Sequence, residues 1–134
     1  MKKSSPQAIV SVGAVILRQN NHKREILLVK RERYGSEWSL PKGKVKGEEN
    51  LHEALAREML EETGYTITKG QYAGCLSYPV GADIKINLFW FATFESGNFK
   101  PNKEVVEIAW VSKEEAMRLL SYDELKKFLM NIMP

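Results

Sequence analysis

Gly43-Lys44-Val45-Lys46-Gly47-Glu48-Glu49-Asn50-Leu51-His52-Glu53-Ala54-Leu55-Ala56-Arg57-Glu58-Met59-Leu60-Glu61-Glu62-Thr63-Gly64-Tyr65 is the stretch that decides how this chain folds. Between Pro41 and Gly64 there is no proline, and the glycines, Gly43 and Gly47, both lie at the front. Residues 50–63 are rich in Leu, Ala, Glu, Met and Arg, which favour the helix. Asn50 is placed to cap its start, Glu53 three residues later completes a capping box, and Gly64 ends it. The spacing predicts a helix of about four turns.

On that helix, at roughly 100° per residue from Leu51, Ala54 falls near 300°, Leu55 near 40° and Met59 near 80°, which makes an apolar stripe. Glu58 falls near 340°, Glu61 near 280° and Glu62 near 20° by the same rule. The carboxylates thus lie along the stripe at its C-terminal end. A solvated acidic face would instead sit opposite Leu51 and Leu55. Uncompensated, the arrangement is costly, because like charges repel, burial penalises ionised groups and a helix C-terminus disfavours anions. A divalent cation that prefers oxygen ligands offsets all three. Arg57, four residues before Glu61, is placed to orient that carboxylate. Relief of repulsion further predicts that Glu62→Gln leaves the metal-free fold as stable as before, or more so.

Gly43, five residues, Glu49, seven residues, Arg57-Glu58, bulky Met59, one residue, Glu61-Glu62, one residue, Gly64 and a bulky residue: this order resembles the signature of the Nudix hydrolases. Every fixed position matches, and Tyr65 stands where an aliphatic residue is usual. The resemblance implies a Nudix fold, an α/β/α sandwich around a mixed sheet. It implies hydrolysis of a nucleoside diphosphate linked to another group, with Mg²⁺ or Mn²⁺ and water attacking phosphorus. Carried over by position, Glu58 and Glu62 are the primary metal ligands, Glu61 a ligand or water contact, and the Gly43 carbonyl a further ligand. Glu49 supports the cation shell or holds the loop, Arg57 orients the glutamates and Lys42 touches phosphate. The family often draws a further glutamate from outside this stretch as base or ligand. Glu104 and Glu107 are the candidates, and loop position favours Glu104.

The whole chain sets the frame. Its 134 residues suffice for one domain, 1–134, with one core. At 43% hydrophobic and 28% charged residues, the composition indicates neither disorder nor membrane insertion. No apolar run approaches the roughly 20 residues of a membrane span. Met1-Lys2-Lys3 has no apolar segment behind it, so no secretory leader is expected. Lone Cys75 excludes an internal disulfide or a cysteine metal site, and a buried thiol on a strand in a reducing cytoplasm is expected. A net charge of +3 is too mild to argue for nucleic acid. No membrane or nucleic-acid partner is expected, and the chain is read as a monomer or homodimer.

Local charge is more informative. Lys42, Lys44 and Lys46 cluster before the helix, and Lys30, Arg31 and Arg33 end a strand-like run at 25–33. Lysines beside a carboxylate–metal site suit a polyphosphate, with Arg31 facing phosphate as well. The G-K-S/T ending of a P-loop is missing. Further strands are predicted at 7–18, at 65–77 with a break near Lys69-Gly70, at 84–95 and at 105–111. Loops are predicted at 78–83 and 96–103, and helices at 113–120, with a Ser112–Glu115 capping box, and 121–133. Gly13-Ala14 suggests close packing by a helix or a ligand. Strands, an inserted helix, more strands and terminal helices make a mixed α/β domain with helices on both sides of the sheet.

Trp38-Ser39-Leu40-Pro41-Lys42-Gly43 resembles the diadenosine polyphosphate hydrolases and also the mycobacterial-type MutT enzymes. Tyr78 follows the helix in a predicted loop, where such enzymes place an aromatic that stacks on a base; the alternative is a tyrosine that packs the core or the loop. The expected substrate is therefore a nucleotide or dinucleoside polyphosphate, such as diadenosine tetra- or hexaphosphate. The alternatives are a sanitising pyrophosphatase of oxidised nucleoside triphosphates, an RNA 5′ pyrophosphohydrolase, and a nucleotide-binding module without turnover.

Overall fold

The computed structural model describes residues 5–33 and 35–134, so the Met1-Lys2-Lys3 stretch lies outside it. The elements run β1 (Ala8–Asn20), β2 (Lys23–Arg31), β3 (Glu37–Ser39), β4 (Lys42–Lys44), α1 (Leu51–Thr63), β5 (Tyr65–Val80), β6 (Asp83–Gly97), β7 (Glu107–Val111), α2 (Lys113–Leu119) and α3 (Asp123–Ile132). The sheet order is β3-β2-β1-β6-β5, with β4 added to β1 and β7 to β2. Strands β1 and β6 are parallel and every other pairing is antiparallel. This is the expected mixed α/β sandwich.

Helix α1 starts and stops on the predicted residues. The Asn50 side chain accepts the Glu53 N–H at 2.9 Å, and the Glu53 carboxylate accepts the Asn50 N–H at 3.0 Å. Such a cap is worth about 1 kcal/mol. Gly64 closes the helix at φ 74°, in the left-handed region where a side chain is strained. Its apolar face meets Val12, Ala14, Ile16, Leu27, Trp90 and Ala92 through Ala54, Leu55 and Met59. Leu51 is the exception: it begins the stripe but is 36% exposed, because the helix has not yet reached the sheet at its first turn.

The other face of the sheet carries α2 and α3. Val15, Ile26, Leu28, Phe89 and Val111 pack there against Ala116, Leu120, Leu125, Phe128 and Leu129. With both faces covered, β1 is buried without interruption from Ser11 to Ile16, as an interior strand requires.

Several boundaries differ from the sequence reading, each for a local reason. The loop expected at 78–83 is a tight turn at Gly81-Ala82, since Tyr78 and Val80 keep their ladder with Lys85 and Asp83. Strand β5 does not break near Lys69-Gly70; it absorbs the irregularity as register shifts between Lys69 and Gly74. Pro41-Lys42-Gly43-Lys44 is read as loop, but Lys42–Lys44 pairs with Ser11–Gly13. Gly13 is crowded by Pro41, Lys42 and Phe89 and not by a helix. Ser112 accepts the Glu115 N–H at 3.1 Å and caps α2. Cys75 lies on a strand as expected but is exposed, because β5 is an edge strand there. Among the described residues, no helix is long and apolar enough to cross a membrane.

Candidate active site

Glu58 and Glu62, one turn apart on α1, are 7% and 2% exposed, whereas Glu61 faces solvent at the rim. Gly43 makes room for the first of them. A Cβ built on Gly43 would sit 1.9 Å from a Glu58 carboxylate oxygen. Its φ is ordinary, so the need for glycine there is a need for space. Gly43→Ala is expected to push the Glu58 carboxylate aside and lower kcat/KM about 100-fold, since displacements near 1 Å cost that much. Steady-state kinetics beside a melting curve checks it, and an unaltered kcat/KM would mean that Glu58 is not needed where Gly43 lets it lie.

Two arginines hold the carboxylates. Arg57 donates to both oxygens of Glu49 at 2.5 and 2.8 Å, to Glu58 at 2.7 Å, to Glu61 at 3.1 Å and to the Lys44 carbonyl at 3.0 Å. The expected pairing with Glu61 is thus one spoke of a larger hub. Glu49 belongs to that hub, its carboxyl held down to about 2 by the Arg57 bonds first and the Lys46 N–H second. Arg31 reaches in from β2 and clasps Glu62 with two bonds of 3.0 and 2.9 Å, and the Lys42 N–H adds a third at 3.1 Å. Burial pushes the Glu62 carboxyl up, and the Arg31 clasp pulls it back. The clasp also reverses one expectation. Neutralising Glu62 does not simply relieve repulsion, since it strips a buried guanidinium of its partner.

These groups open onto a cavity of about 760 Å³. Lys42, Lys44, Lys46, Arg31, Arg33 and Glu104 line it together with Glu58, Glu61 and Glu62. Burial first, then the charges of Lys85 and Arg31, bring the Lys42 ammonium down to about 7. Glu104 pairs with Arg33 and lies 3.8 Å from Arg31. Glu107 instead pairs with Lys30 at 3.7 Å and does not line the cavity, so the loop position separates the two candidates. Ser11, Leu76, Tyr78, Asn87, Phe89 and Tyr122 line the cavity as well, with Glu37, Lys85 and Glu124 among them.

Of the residues singled out in sequence, Lys42, Gly43, Lys44, Lys46, Arg31, Glu58, Glu61, Glu62, Tyr78 and Glu104 line one cavity, whereas Arg57, Glu49, Lys30 and Glu107 do not. Lys85, Asn87, Tyr122 and Asn102 were not singled out. Lys85 stands opposite Tyr78 in the β5–β6 ladder and touches Lys42. Asn87 Oδ1 is buried with no hydrogen-bond partner. Both interrupt the apolar run of β6, a signal that sequence could have yielded. Tyr122 occupies the start of α3, where a capping side chain is usual, yet makes no capping bond.

A hard divalent cation fits this donor set, by the residues themselves: two buried carboxylates one turn apart, Glu61 beside them, and a backbone cradle at Gly43 that a Cβ would fill. Among the described residues no three acidic, His or Cys side chains are drawn together tightly enough to hold a metal ion. Glu58 is paired with Arg57 and Glu62 with Arg31.

With its mixed sheet, carboxylate helix and glycine cradle, the chain matches the NUDIX domain model over residues 8–132. It belongs to the NUDIX domain family. It is 39% identical over 105 residues to an 8-oxo-(d)GTP phosphatase of Mycolicibacterium smegmatis, an alignment that covers 78% of this chain and 32% of that protein. The chain thus spans about a third of that relative's length. Among solved structures, a C. elegans Ap4A hydrolase binary complex superposes with a TM-score of 0.81 at 26% identity, over 91% of this chain and 93% of the other. A MutT protein from Methanosarcina mazei Go1 superposes with a TM-score of 0.81 at 29% identity, over 98% and 96%.

Proposed function

We propose that this chain is a divalent-metal-dependent hydrolase of phosphoric anhydride bonds in nucleotides, and that dinucleoside polyphosphates such as diadenosine tetraphosphate are its preferred class. The observation that carries this reading is the set of basic side chains sharing one cavity with the α1 glutamates: Lys42, Lys44 and Lys46, with Lys85 in contact with Lys42. A set of cations suits a chain of phosphates better than a single diphosphate.

Glu58, Glu61, Glu62 and the Gly43 carbonyl would hold Mg²⁺, or Mn²⁺ in its place. When bound, the ion supplies neutralisation of phosphate charge and activation of water. Arg57 keeps the glutamates in register through its hub, and Glu104 accepts a proton or adds an oxygen ligand. Lys42 contacts the phosphate next to the cleaved bond. Arg31 has its guanidinium committed to Glu62, so it adds positive charge to the phosphate wall without swinging freely onto the substrate. Tyr78, which also lines the cavity, stacks on a base.

A nucleotide panel incubated with protein and Mg²⁺, with products resolved by chromatography, tests the reading. Specificity should rise from ATP to diadenosine tetraphosphate and longer chains. Lys44→Ala and Lys46→Ala should cost the long substrates about one to two decades in kcat/KM and ATP less, while Lys42→Ala costs all of them. Raising salt should weaken the long substrates most, because exposed outer contacts are the more screened.

The second reading is a sanitiser of oxidised nucleoside triphosphates. The 39% identity to an 8-oxo-(d)GTP phosphatase favours it. If 8-oxo-dGTP is cleaved far faster than any dinucleotide and Lys44→Ala acts equally on all substrates, this reading replaces the first.

A further inference from the structure

Asn102 sits in the connection between β6 and β7, two residues before Glu104, and its side chain bonds in two directions. Its Oδ1 accepts the N–H groups of Glu104 and Val105, both at 3.0 Å. Its Nδ2 donates to the Glu62 carbonyl at 3.1 Å, forty residues away in sequence, and to the Lys100 carbonyl at 3.2 Å. Its own N–H donates to the Val105 carbonyl at 2.9 Å, which closes a small loop around Glu104. The Glu62 carbonyl is one of the last four of α1, left without a partner inside the helix. A single amide side chain therefore joins the end of the carboxylate helix to the backbone that carries Glu104.

The rest of the loop is fixed nearby. Val105 is fully buried, and the Val106 N–H donates to the Lys30 carbonyl at 2.9 Å. Glu104 itself is half exposed, and its carboxylate is paired with Arg33 and Arg31. The backbone bonds made by Asn102 are what set where that carboxylate starts from. We propose that Asn102 is a positioning residue, which fixes Glu104 relative to Glu58 and Glu62 for the hydrolysis proposed above, and the role rests on that reading.

Loosening such a support costs roughly 10–100-fold in activity. Asn102→Ala should therefore lower kcat on ATP by 10–100-fold with KM little changed, and should speed amide hydrogen exchange at Glu104 and Val105 while β1 and β6 keep their protection. Asn102→Asp keeps the acceptor for the loop but loses the donor to the Glu62 and Lys100 carbonyls, of which only the first reaches beyond the loop. It should fold even where the alanine variant does not, and should also lose kcat. In a Glu104→Gln background, Asn102→Ala should add little further loss, because there is no longer a carboxylate to place. An equal fold-loss in both backgrounds, a wild-type kcat in Asn102→Asp, or a wild-type kcat in Glu104→Gln each overturns the proposal. A wild-type protein that cleaves no nucleotide defeats the functional reading itself, whereas active wild type with additive variants defeats only the role of Asn102.

Discussion

Glu62→Gln is expected to lower kcat by roughly three decades and, in the same protein, to lower the melting temperature measured in chelator. The kinetic loss follows from removing one carboxylate of the proposed cation seat, an interaction worth several kcal/mol in the transition state. The thermal loss follows from Arg31. Its guanidinium is buried against Glu62 in a two-bond clasp. Breaking a buried pair by removing one partner costs roughly 3–5 kcal/mol, and Gln, which keeps one acceptor oxygen, should sit at the low end. At about 4 °C per kcal/mol for a domain of this size, the shift is on the order of 10 °C. Calorimetry of both proteins in EDTA reads it. A variant that melts at or above the wild-type temperature would return the carboxylate cluster to a balance ruled by repulsion, with Arg31 a bystander.

Removing the metal should have a larger effect still. With excess EDTA, turnover on every nucleotide should fall below detection and return with Mg²⁺ or Mn²⁺. Calcium, with looser coordination, should bind without supporting comparable turnover. Binding should also appear without catalysis: a cation at 100 times its Kd stabilises the folded state by about 2.7 kcal/mol. Wild type should gain that increment and Glu62→Gln should lose most of it. Undiminished turnover in chelator would remove the cation, and with it the reason for burying Glu58 beside Glu62.

The helix, its caps and its carboxylates were legible because the information is local. Asn50, Glu53 and Gly64 act on neighbours, and the angular positions of Glu58 and Glu62 follow from helix geometry. The identity of their partners was not legible. Arg31 lies 31 residues from Glu62 and Asn102 lies 40 residues beyond it, so both contacts depend on how strands are ordered in the sheet. Sequence periodicity carries no record of that order. Arg57 shows the boundary within one side chain: its i, i+4 contact with Glu61 was predictable, and its stronger contacts with Glu49 and the Lys44 carbonyl need the fold of the preceding loop. Cys75 was misjudged for the same reason, since an edge strand and an interior strand read alike until their neighbours are known.

The parallel pairing of β1 with β6 bears on how this molecule is made. β1 leaves the ribosome first, yet the strand that covers one of its edges is residues 83–97. At synthesis rates of about 5–20 residues per second, the strand at the centre of the sheet waits several seconds for that neighbour. The hairpin with β2 and the short ladder with β4 can form meanwhile, and α1 with its glutamates can already be helical. The far wall of the cavity, with Lys85, Asn87 and the Asn102 tether, arrives only with the second half of the chain. A nascent chain halted after α1 therefore carries the whole signature stretch and no finished site.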